Sequence, residues 1–314
     1  MRIAIVGIGD IAQKAYLPIL TQLNDVELIF CTRNNATLQK LALQYRVTTL
    51  YQDYRQLSKA NIDAVMIHSS TVSHPEIAAY FLQQGIPTFV DKPLADNAFD
   101  CEKLYELAQA KQVPLYMGFN RRFIPLYNRH LGDLQSVNLA SPLLSLHWQK
   151  NRHNLPGNIR DFIFDDFIHP LDSVNLDAKS DLQGVHLTSQ FKGTQLAQLA
   201  RLDVQWQSNN TLLHASMNRL YGITCEHVSA SFENRAYQFD SFISGKCLQD
   251  KQTSLIQLED WTPMLTAKGF ADMIDDWLSV VQSGKLKQSV IDRNLSSHQL
   301  AEAICGKVQQ LIKA

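Results

Sequence analysis

The chain opens with an apolar segment that runs directly into a glycine-rich turn. Residues 2–6 are mostly apolar and rich in β-branched side chains, a pattern typical of a buried strand. Gly7 and Gly9 follow, and Ala12 occupies the third small position of a G-x-G-x-x-A pattern. In such a turn the first glycine allows the tight bend, the second lets a pyrophosphate approach the backbone, and the third small residue lets a helix pack on the strand. The opening predicts a strand, turn and helix that bind a dinucleotide, with Pro18 bending that helix or lying near its start.

Strand and helix signals alternate through the first 120 residues. After the opening strand, predicted strands cover residues 26–32, 64–68, 88–90 and 115–117. The segments between them carry apolar residues at helical spacing. This alternation is typical of a parallel sheet with right-handed crossovers. We therefore predict a Rossmann dinucleotide-binding domain, of class α/β, over residues 1–120.

The pattern changes in the rest of the chain. Several predicted strands there alternate apolar and polar residues, which favours an antiparallel sheet with one covered face. These strands cover residues 143–149, 185–190, 198–206, 212–217, 226–232, 236–242 and 254–258. Helical signals occur at 165–174, 270–282 and 297–313. We predict an α+β domain over residues 121–314, with a large, mostly antiparallel open sheet and with C-terminal helices that can pack back on the first domain.

The composition excludes several classes of protein. The 314 residues carry a net charge of -1, so no overall field attracts nucleic acid or a membrane surface. No apolar run approaches the roughly 20 residues of a bilayer span, and the apolar start is too short for a signal peptide. The five cysteines are scattered without a C-x-x-C pair, so neither a zinc site nor a disulfide framework is indicated. We expect a cytoplasmic protein with no nucleic-acid or membrane partner.

The end of the second predicted strand bears on the choice of nucleotide. An acidic residue there would bind the ribose 2′-hydroxyl of NAD. The chain instead has Thr32 followed by Arg33. A hydroxyl beside a guanidinium suits a 2′-phosphate, since arginine can pair with it through two hydrogen bonds. We predict NADP in preference to NAD; the alternative is that Arg33 is a solvated charge and either nucleotide binds.

Two further motifs supply groups that can move a proton on and off a carbinol oxygen. Asp91-Lys92-Pro93 offers an ammonium that can stabilise negative charge on that oxygen. Asp165 and His169 are four residues apart, which puts them on one helix face, and Asp172 is expected to join them. The imidazole can take or give the proton and the carboxylate can orient it. The predicted catalytic residues are therefore Lys92, Asp165 and His169.

Other readings of the same region depend on the neighbouring charges. Asp166 is interpreted as an acid that faces a helix dipole in the first turn. Asp165, His169 and Asp172 could bind a metal by residue type, but no further histidine or cysteine cluster supports one, and we predict no metal. Four basic residues are predicted to lie in a loop ahead of Asp165. Their charges either select an anionic substrate or are simply solvated. The four residues are Lys150, Arg152, His153 and Arg160.

Taken in order, these motifs resemble those of the Gfo/Idh/MocA oxidoreductases. The resemblance spans the chain and rests on residues 7–12, 69–74, 91–93, 118–123 and 165–169. It implies a Rossmann domain and an open-sheet domain, NAD or NADP, and a sugar, polyol or related carbonyl substrate. It also implies a lysine where cofactor and substrate meet, often followed by a cis proline, and a homo-oligomer formed through an exposed sheet face.

Within the family, the strings at residues 11–18, 68–71 and 118–123 resemble the MviM-type subgroup. The virulence-factor label of that subgroup describes a phenotype and not a chemistry. Two departures from the family pattern stand out. Asp91 replaces the usual glutamate, and bulky residues at 161–164 replace a glycine-rich stretch, which predicts a narrowed substrate pocket.

The resemblance extends the predicted cofactor site beyond the glycine turn. The loop after the third predicted strand lines the cofactor in such proteins, although His74 can also be an ordinary helix-start residue. Asn120, Arg121 and Arg122 follow the last Rossmann strand, where one arginine meets cofactor or substrate and the other ties the domains together. Asp10 could instead be a solvent-facing acid of the first helical turn. The predicted cofactor-binding residues are Gly7, Gly9, Asp10, Ile11, Ala12, Thr32, Arg33, Ser69, Ser70, His74, Asp91, Lys92, Asn120 and Arg122.

These features predict an NAD(P)-dependent dehydrogenase or reductase of a sugar-like or cyclic polyol or carbonyl substrate, in which Lys92 and His169 handle the carbinol proton. A second possibility keeps the same site but cleaves a glycosidic bond through transient oxidation. A third is a sensor that binds a dinucleotide without catalysis. The presence of Lys92, Asp165 and His169 together argues against the sensor.

Overall fold

In the computed structural model, which describes residues 1–139, 142–193 and 198–313, the chain divides into two units. The first comprises Met1–Phe119 and Phe270–Lys287, and the second comprises Asn120–Gly269 and Gln288–Ala314. The predicted boundary after residue 120 lies beside the first division. A segment from late in the chain, Phe270–Lys287, completes the first unit.

The described strands are β1 (Arg2–Val6), β2 (Glu27–Cys31), β3 (Thr49–Tyr51), β4 (Ala64–Ile67), β5 (Thr88–Asp91), β6 (Leu115–Gly118), β7 (Gly132–Asp133), β8 (Asn138–Leu139), β9 (Leu143–His153), β10 (His186–Phe191), β11 (Leu199–Ser208), β12 (Thr211–Tyr221), β13 (Cys225–Phe232), β14 (Arg235–Phe239), β15 (Ser244–Gln249) and β16 (Gln252–Gln257). The described α-helices are α1 (Leu17–Leu20), α2 (Asn35–Tyr45), α3 (His74–Gln83), α4 (Ala98–Lys111), α5 (Pro125–Leu131), α6 (Ile168–Val174), α7 (Met264–Ala267), α8 (Phe270–Ser283) and α9 (Gln288–Lys313).

The first unit is built on a six-stranded sheet in the order β3-β2-β1-β4-β5-β6, with every pair parallel. This is the strand order of a Rossmann fold, and the chain reverses direction across the sheet between β1 and β4. Ligands of such sheets bind outside the carboxyl ends of the strands at that reversal. The predicted α/β class is confirmed. The sequence analysis missed β3, because three half-buried residues are too short to show a period.

The glycine turn after β1 combines one crowded and one open position. Gly7 has a φ of +86°, and a Cβ built there would lie 2.6 Å from the backbone nitrogen of Ser69, just after β4. A Cβ built on Gly9 would meet nothing within 4 Å. The following helix contains a π-helical turn, Ala12–Tyr16, and Pro18 lies just after it, at the start of the α-helical segment α1. The prediction for Pro18 is confirmed.

Aromatic side chains fill the core beside this sheet. The Tyr16 ring lies 4.0 Å from the ring of His68 and 5.5 Å from that of Phe270 at the start of α8. Phe89 of β5 contacts Trp277 of the same helix at a centroid distance of 5.8 Å. Helix α8 therefore belongs to the hydrophobic core of the first unit, although it is more than 150 residues away from β6 in the chain.

The second unit is built on an eight-stranded sheet in the order β10-β11-β12-β9-β13-β14-β15-β16. Neighbouring strands are antiparallel, except that β9 and β12 are parallel. The predicted open, mostly antiparallel sheet is confirmed. Helix α6 packs on β9 and β12, and α9 packs on α6. The sequence analysis missed β15, whose first half combines serine, glycine and lysine without an apolar alternation.

The aromatic residues at positions 161–164 belong to the hydrophobic core of the second unit. Phe162 is 0% exposed and Phe164 is 1% exposed, and both lie in the π-helical turn Asp161–Phe167 that leads into α6. The Phe162 ring lies beneath the guanidinium of Arg219, and Phe164 lies near the ring of His298. The prediction that these rings narrow a substrate pocket was wrong, because they are covered by core contacts.

Each helix within the described residues is too short or too polar to cross a lipid bilayer.

The two glycines of the turn should differ sharply in their tolerance of a side chain. Gly7→Ala should lower the free energy of unfolding by about 2–4 kcal/mol, because it combines a positive φ with a backbone clash. Gly9→Ala should change it by less than about 1 kcal/mol, because its added carbon has open space. Urea denaturation of both variants measures this; equal stability of the two would contradict the packing described.

Candidate active site

Asp91 and Lys92, where β5 ends, are held within the first unit. The Asp91 carboxylate accepts hydrogen bonds from the Tyr16 hydroxyl at 2.8 Å and from the Lys92 backbone N–H at 3.0 Å. Burial raises the pKa of Asp91, despite the opposing effect of the Lys92 charge. The peptide before Pro93 is cis, as the resemblance implied. Lys92 is half-buried, and the backbone that carries its side chain is anchored by the hydrogen bond between Tyr16 and Asp91.

His74 joins two loops at the same edge of the sheet. Its Nδ1 lies 2.9 Å from the carbonyl oxygen of Pro93, and its Nε2 lies 3.0 Å from that of Ser69. The side chain is 2% exposed, and burial lowers its pKa. His74 thus connects the loop after β4 to the loop after β5. This contact supports a structural role, and its assignment to the cofactor stays a prediction.

The glycine turn presents a mixture of exposed and buried residues. Asp10 pairs with Lys14 at 2.8 Å, and both side chains are largely exposed. This pairing agrees with the reading of Asp10 as a solvent-facing acid of the first turn. Ile11 is 38% exposed, whereas Ala12 is buried, as close packing of helix on strand requires.

The loop after β4 carries the predicted serines. Ser69 is half-buried and Ser70 is exposed, and the hydroxyl of Ser73 donates to Oγ of Ser69 at 2.8 Å. This loop and the glycine turn follow β1 and β4, the two strands between which the sheet order reverses. The structure thus brings the two predicted cofactor loops together.

Arg33 follows the carboxyl end of β2. It is exposed and makes no hydrogen bond or ion pair with the residues that the structure describes. Thr32 is half-buried, and its backbone N–H donates to the carbonyl of Tyr51 at 3.1 Å. Asn34 caps α2 by accepting a hydrogen bond from the Thr37 backbone N–H at 3.0 Å. The guanidinium is therefore carried on a well-anchored backbone.

In the second unit, Asp165 and His169 occupy different environments. Asp165 lies in the π-helical turn before α6 and is exposed, whereas His169 lies on α6 and is 6% exposed. Asp172, expected on the same face, is instead a buried partner of Arg122, whose Nε donates to it at 2.9 Å. The hydroxyl of Ser297 donates to it as well, at 2.9 Å. Asp172 therefore neutralises a buried arginine, whereas Asp165 is exposed, so the three residues expected on one helix face do not share one environment.

Asn120 and Arg122, both assigned to the cofactor, have partners inside the second unit. Asn120 is 3% exposed and donates from its amide to the carbonyl of Lys268 at 2.8 Å. Arg122 is 2% exposed and binds Asp172 through two nitrogens. Burial would raise the pKa of Asp172, but the charges of Arg122 and Arg293, with the hydrogen bonds from Arg122 and Ser297, together leave the pKa below its ordinary value. A cofactor contact by either residue stays a prediction.

Asp166 is the centre of a buried charge cluster. Arg152 binds it through two nitrogens at 2.9 Å each, Arg219 donates to it at 3.1 Å, and Lys150 forms a close ion pair with it. Burial would raise the pKa of this carboxyl, but Lys150 and Arg152 hold it below its usual range. The reading of Asp166 as an acid facing a helix dipole in the first turn was wrong, because it lies near the end of the turn Asp161–Phe167 and binds cations of β9 and β12.

Of the basic residues predicted to lie in a loop before Asp165, Lys150, Arg152 and His153 belong to strand β9. Lys150 and Arg152 continue β9 on the same face as the buried Trp148, and Lys150 is 2% exposed. Burial lowers the pKa of Lys150 to about 7, against the attraction of Asp166. Arg160 pairs with Glu302 of α9. Continuing the two-residue period of β9 past Trp148 would have placed Lys150 and Arg152 on the covered face.

Arg121, one of the two arginines predicted to meet cofactor or substrate or to tie the domains together, lies beside His169, and its partner Glu226 was not indicated by any motif. Arg121 NH1 lies 3.4 Å from His169 Nε2, and the same guanidinium forms an ion pair with Glu226 of β13. Glu226 also accepts a hydrogen bond from the Trp148 indole at 3.1 Å. Burial would raise the pKa of Glu226, but Arg121 and Lys150 lower it to about 2. The strand register places Glu226 opposite Lys150, a long-range pairing that no local motif encodes.

Histidine, cysteine and acidic side chains do not gather into a group of three or more that could hold a metal ion within the described parts of the chain.

Comparison with known proteins places this arrangement in a family. A family model described as an oxidoreductase family with an NAD-binding Rossmann fold, GFO_IDH_MocA, matches residues 1–119. The solved structure of a Gfo/Idh/MocA family oxidoreductase from Vibrio cholerae is 57% identical, with 100% of both chains covered and a TM-score of 0.97. The solved dehydrogenase MviM from Clostridium difficile is 27% identical over 98% of this chain and 99% of its own, with a TM-score of 0.87.

Curated proteins give the same result. The oxidoreductase YceM from Salmonella typhimurium is 28% identical over 97% of each chain. The myo-inositol dehydrogenase Hyg17 from Streptomyces leeuwenhoekii is 33% identical over 46% of this chain and 42% of its own. Because the match to the Vibrio cholerae protein covers both chains in full, the chain belongs to the Gfo/Idh/MocA family of NAD(P)-binding oxidoreductases.

Proposed function

We propose that this protein is an NAD(P)-dependent dehydrogenase or reductase that acts on a sugar-like or cyclic polyol or carbonyl substrate. The substrate class is supported by the partial match to a relative named myo-inositol dehydrogenase. It is also supported by the presence, in one chain, of an ammonium and an imidazole suited to a carbinol oxygen. Membership of the MviM-type subgroup is part of the proposal, supported by the 27% identity to the MviM dehydrogenase.

The open position at Gly9 carries the cofactor assignment. Next to it, Gly7 packs closely on the backbone of Ser69, while the space where a Gly9 side chain would stand is free. Gly9, Ile11 and the Ser69–Ser70 loop would hold the pyrophosphate, with the helix after the turn offering backbone N–H groups. When bound, the nicotinamide would supply the hydride chemistry.

The chain's own residues would handle the proton. Lys92, on a backbone anchored through Asp91 and Tyr16, would stabilise negative charge on the substrate oxygen. His169 would accept the proton of a carbinol or return it to a carbonyl oxygen. Asp165 is exposed four residues before His169 and would orient the substrate or the ring. General acid–base catalysis of this kind contributes roughly 10²–10⁴-fold.

The preference for NADP is part of the proposal. Arg33 is exposed, makes no bond to a described residue and follows β2, where a 2′-phosphate would be recognised. A guanidinium can bind such a phosphate through two hydrogen bonds without breaking an existing ion pair.

Gly9→Ala should weaken binding of NADP and NAD alike, by roughly tenfold or more, because the added carbon occupies the space that the pyrophosphate needs. Calorimetric titration of each nucleotide measures its affinity for the variant and for the unmodified protein. Because Gly9→Ala is expected to change the stability of the fold little, a loss of affinity can be assigned to the cofactor site. Unchanged affinity for both nucleotides would remove the glycine turn from the cofactor site.

Arg33→Asp should shift the ratio of NADP to NAD affinity toward NAD by roughly tenfold or more, because a phosphate contact is replaced by repulsion. Lys40→Asp makes the same change of charge at an exposed position of α2 and is the matched control. The NADP assignment fails if the two variants have the same ratio of affinities.

Lys92→Met and His169→Asn should each lower kcat by roughly 10²–10⁴-fold on a substrate found by screening polyols and sugars for nicotinamide reduction. Lys40→Met and His186→Asn, at exposed positions, are the controls and should retain activity. If both site variants keep full activity, the proposed proton transfer is wrong. Cleavage of a glycosidic bond by the nucleotide-bound protein, with no net oxidation or reduction of the nucleotide, would instead indicate the alternative glycosidase function.

A further inference from the structure

The structure shows a contact between Arg121 and His169. Its NH1 lies 3.4 Å from Nε2 of His169 and 3.1 Å from Oδ1 of Asn120. Asn120 is in turn fixed by its hydrogen bond to the carbonyl of Lys268. The Arg121 side chain is only 15% exposed, so its position beside the imidazole is set by buried contacts.

Glu226 holds the other side of the guanidinium. Two nitrogens of Arg121 donate to its two carboxylate oxygens, and the Trp148 indole N–H donates to one of them at 3.1 Å. The Glu226 side chain is 8% exposed, and its pKa of about 2 keeps it ionised at neutral pH. A paired, bidentate arginine is a rigid donor, since the fork geometry fixes both nitrogens at once.

The chemistry of the two groups determines which ring nitrogen carries the proton. A guanidinium has only donors, so Nε2 of His169 can take part in this contact only as an acceptor. We propose that Arg121 is a positioning residue that donates to Nε2 of His169 and holds the imidazole in its neutral form, with the proton on Nδ1. This inference rests on the proposed role of His169 as the group that receives the carbinol proton. Nε2 is then the ring nitrogen that accepts it, and the substrate hydroxyl takes the place of the Arg121 N–H on that nitrogen before the proton is transferred.

Neighbouring charges determine the sign of the effect on His169. Arg121 and Lys150 disfavour an imidazolium, whereas Glu226 and Asp165 favour one. Two other carboxylates near the helix each have more than one cationic partner. These are Asp166, paired with Arg152 and Arg219, and Asp172, paired with Arg122 and Arg293, so both clusters also disfavour an imidazolium. Because Arg121 is in contact with the ring, removing its charge should make His169 easier to protonate. Removing Glu226 leaves the arginine charge uncompensated, so it should make His169 harder to protonate.

The test is an NMR titration of the full-length protein with nitrogen-15-labelled histidine, in which His169→Asn identifies the His169 signals. At high pH the wild type should show an unprotonated Nε2 and a protonated Nδ1. Arg121→Gln should raise the pKa of His169 by about one pH unit, and Glu226→Gln should lower it. Arg121→Lys keeps the charge and should stay near the wild-type value. Arg129→Gln, at an exposed arginine of α5, is the matched control and should have no effect.

Opposite shifts in the two glutamine variants would support the proposal, because a general loss of packing would not reverse sign. A protonated Nε2 in the neutral wild type, or shifts of the same sign in both variants, would overturn it. If Arg121→Gln alone does not fold, the double variant Arg121→Gln with Glu226→Gln removes the whole ion pair. The pKa of His169 in the double variant should then exceed its pKa in Glu226→Gln alone. Equal His169 pKa values in these two variants would overturn the proposal. The titration needs no substrate, so a protein that titrates as predicted but lacks dehydrogenase activity contradicts only the proposed function.

Discussion

The backbone of Gly7 approaches that of Ser69 so closely that one added carbon would lie 2.6 Å from the Ser69 nitrogen. This contact joins the carboxyl ends of β1 and β4, between which the strand order reverses. The same loop after β4 is tied through His74 to the cis Lys92–Pro93 segment. The positions of the glycine turn, the serine loop and Lys92 therefore depend on one close packing of two strand ends, and on the absence of a side chain at residue 7.

The second unit positions its candidate residues with buried charges. A carboxylate that loses its partner inside a protein destabilises the fold by several kcal/mol, roughly 3–5 in measured cases. Asp166, Asp172 and Glu226 each have arginine partners. The Asp166 pairs connect the turn before α6 to β9 and β12, whereas the other two pairs connect the turn Asn120–Phe123 to α6 and to β13. Such pairs add little net stability compared with apolar packing. Their consequence is geometric, because they hold the helix that carries His169 at a defined place on the sheet.

Local patterns in the sequence predicted most of the fold. Buried strands followed by helical periods predicted the Rossmann sheet, and alternation predicted the antiparallel sheet. The failures share a physical cause. β3 is too short to show a period, and Lys150 resembled a loop residue because charged side chains are rarely buried. The contacts of Asp166 with Arg219 and of Arg121 with Glu226 join residues 53 and 105 positions apart, and no local motif records them. The motifs indicated Lys92 and His169, and the resemblance included Arg121, but neither indicated the contact of Arg121 with the imidazole.

Equilibrium binding of NADP and NAD to the unmodified protein, measured by calorimetry, tests the central claim most directly. A Rossmann unit with a free approach to Gly9 and an exposed Arg33 should bind one molecule of nucleotide per chain, with NADP the tighter ligand. Failure of both nucleotides to bind, in a protein shown to be folded, would contradict the account of the first unit and with it the proposed reaction.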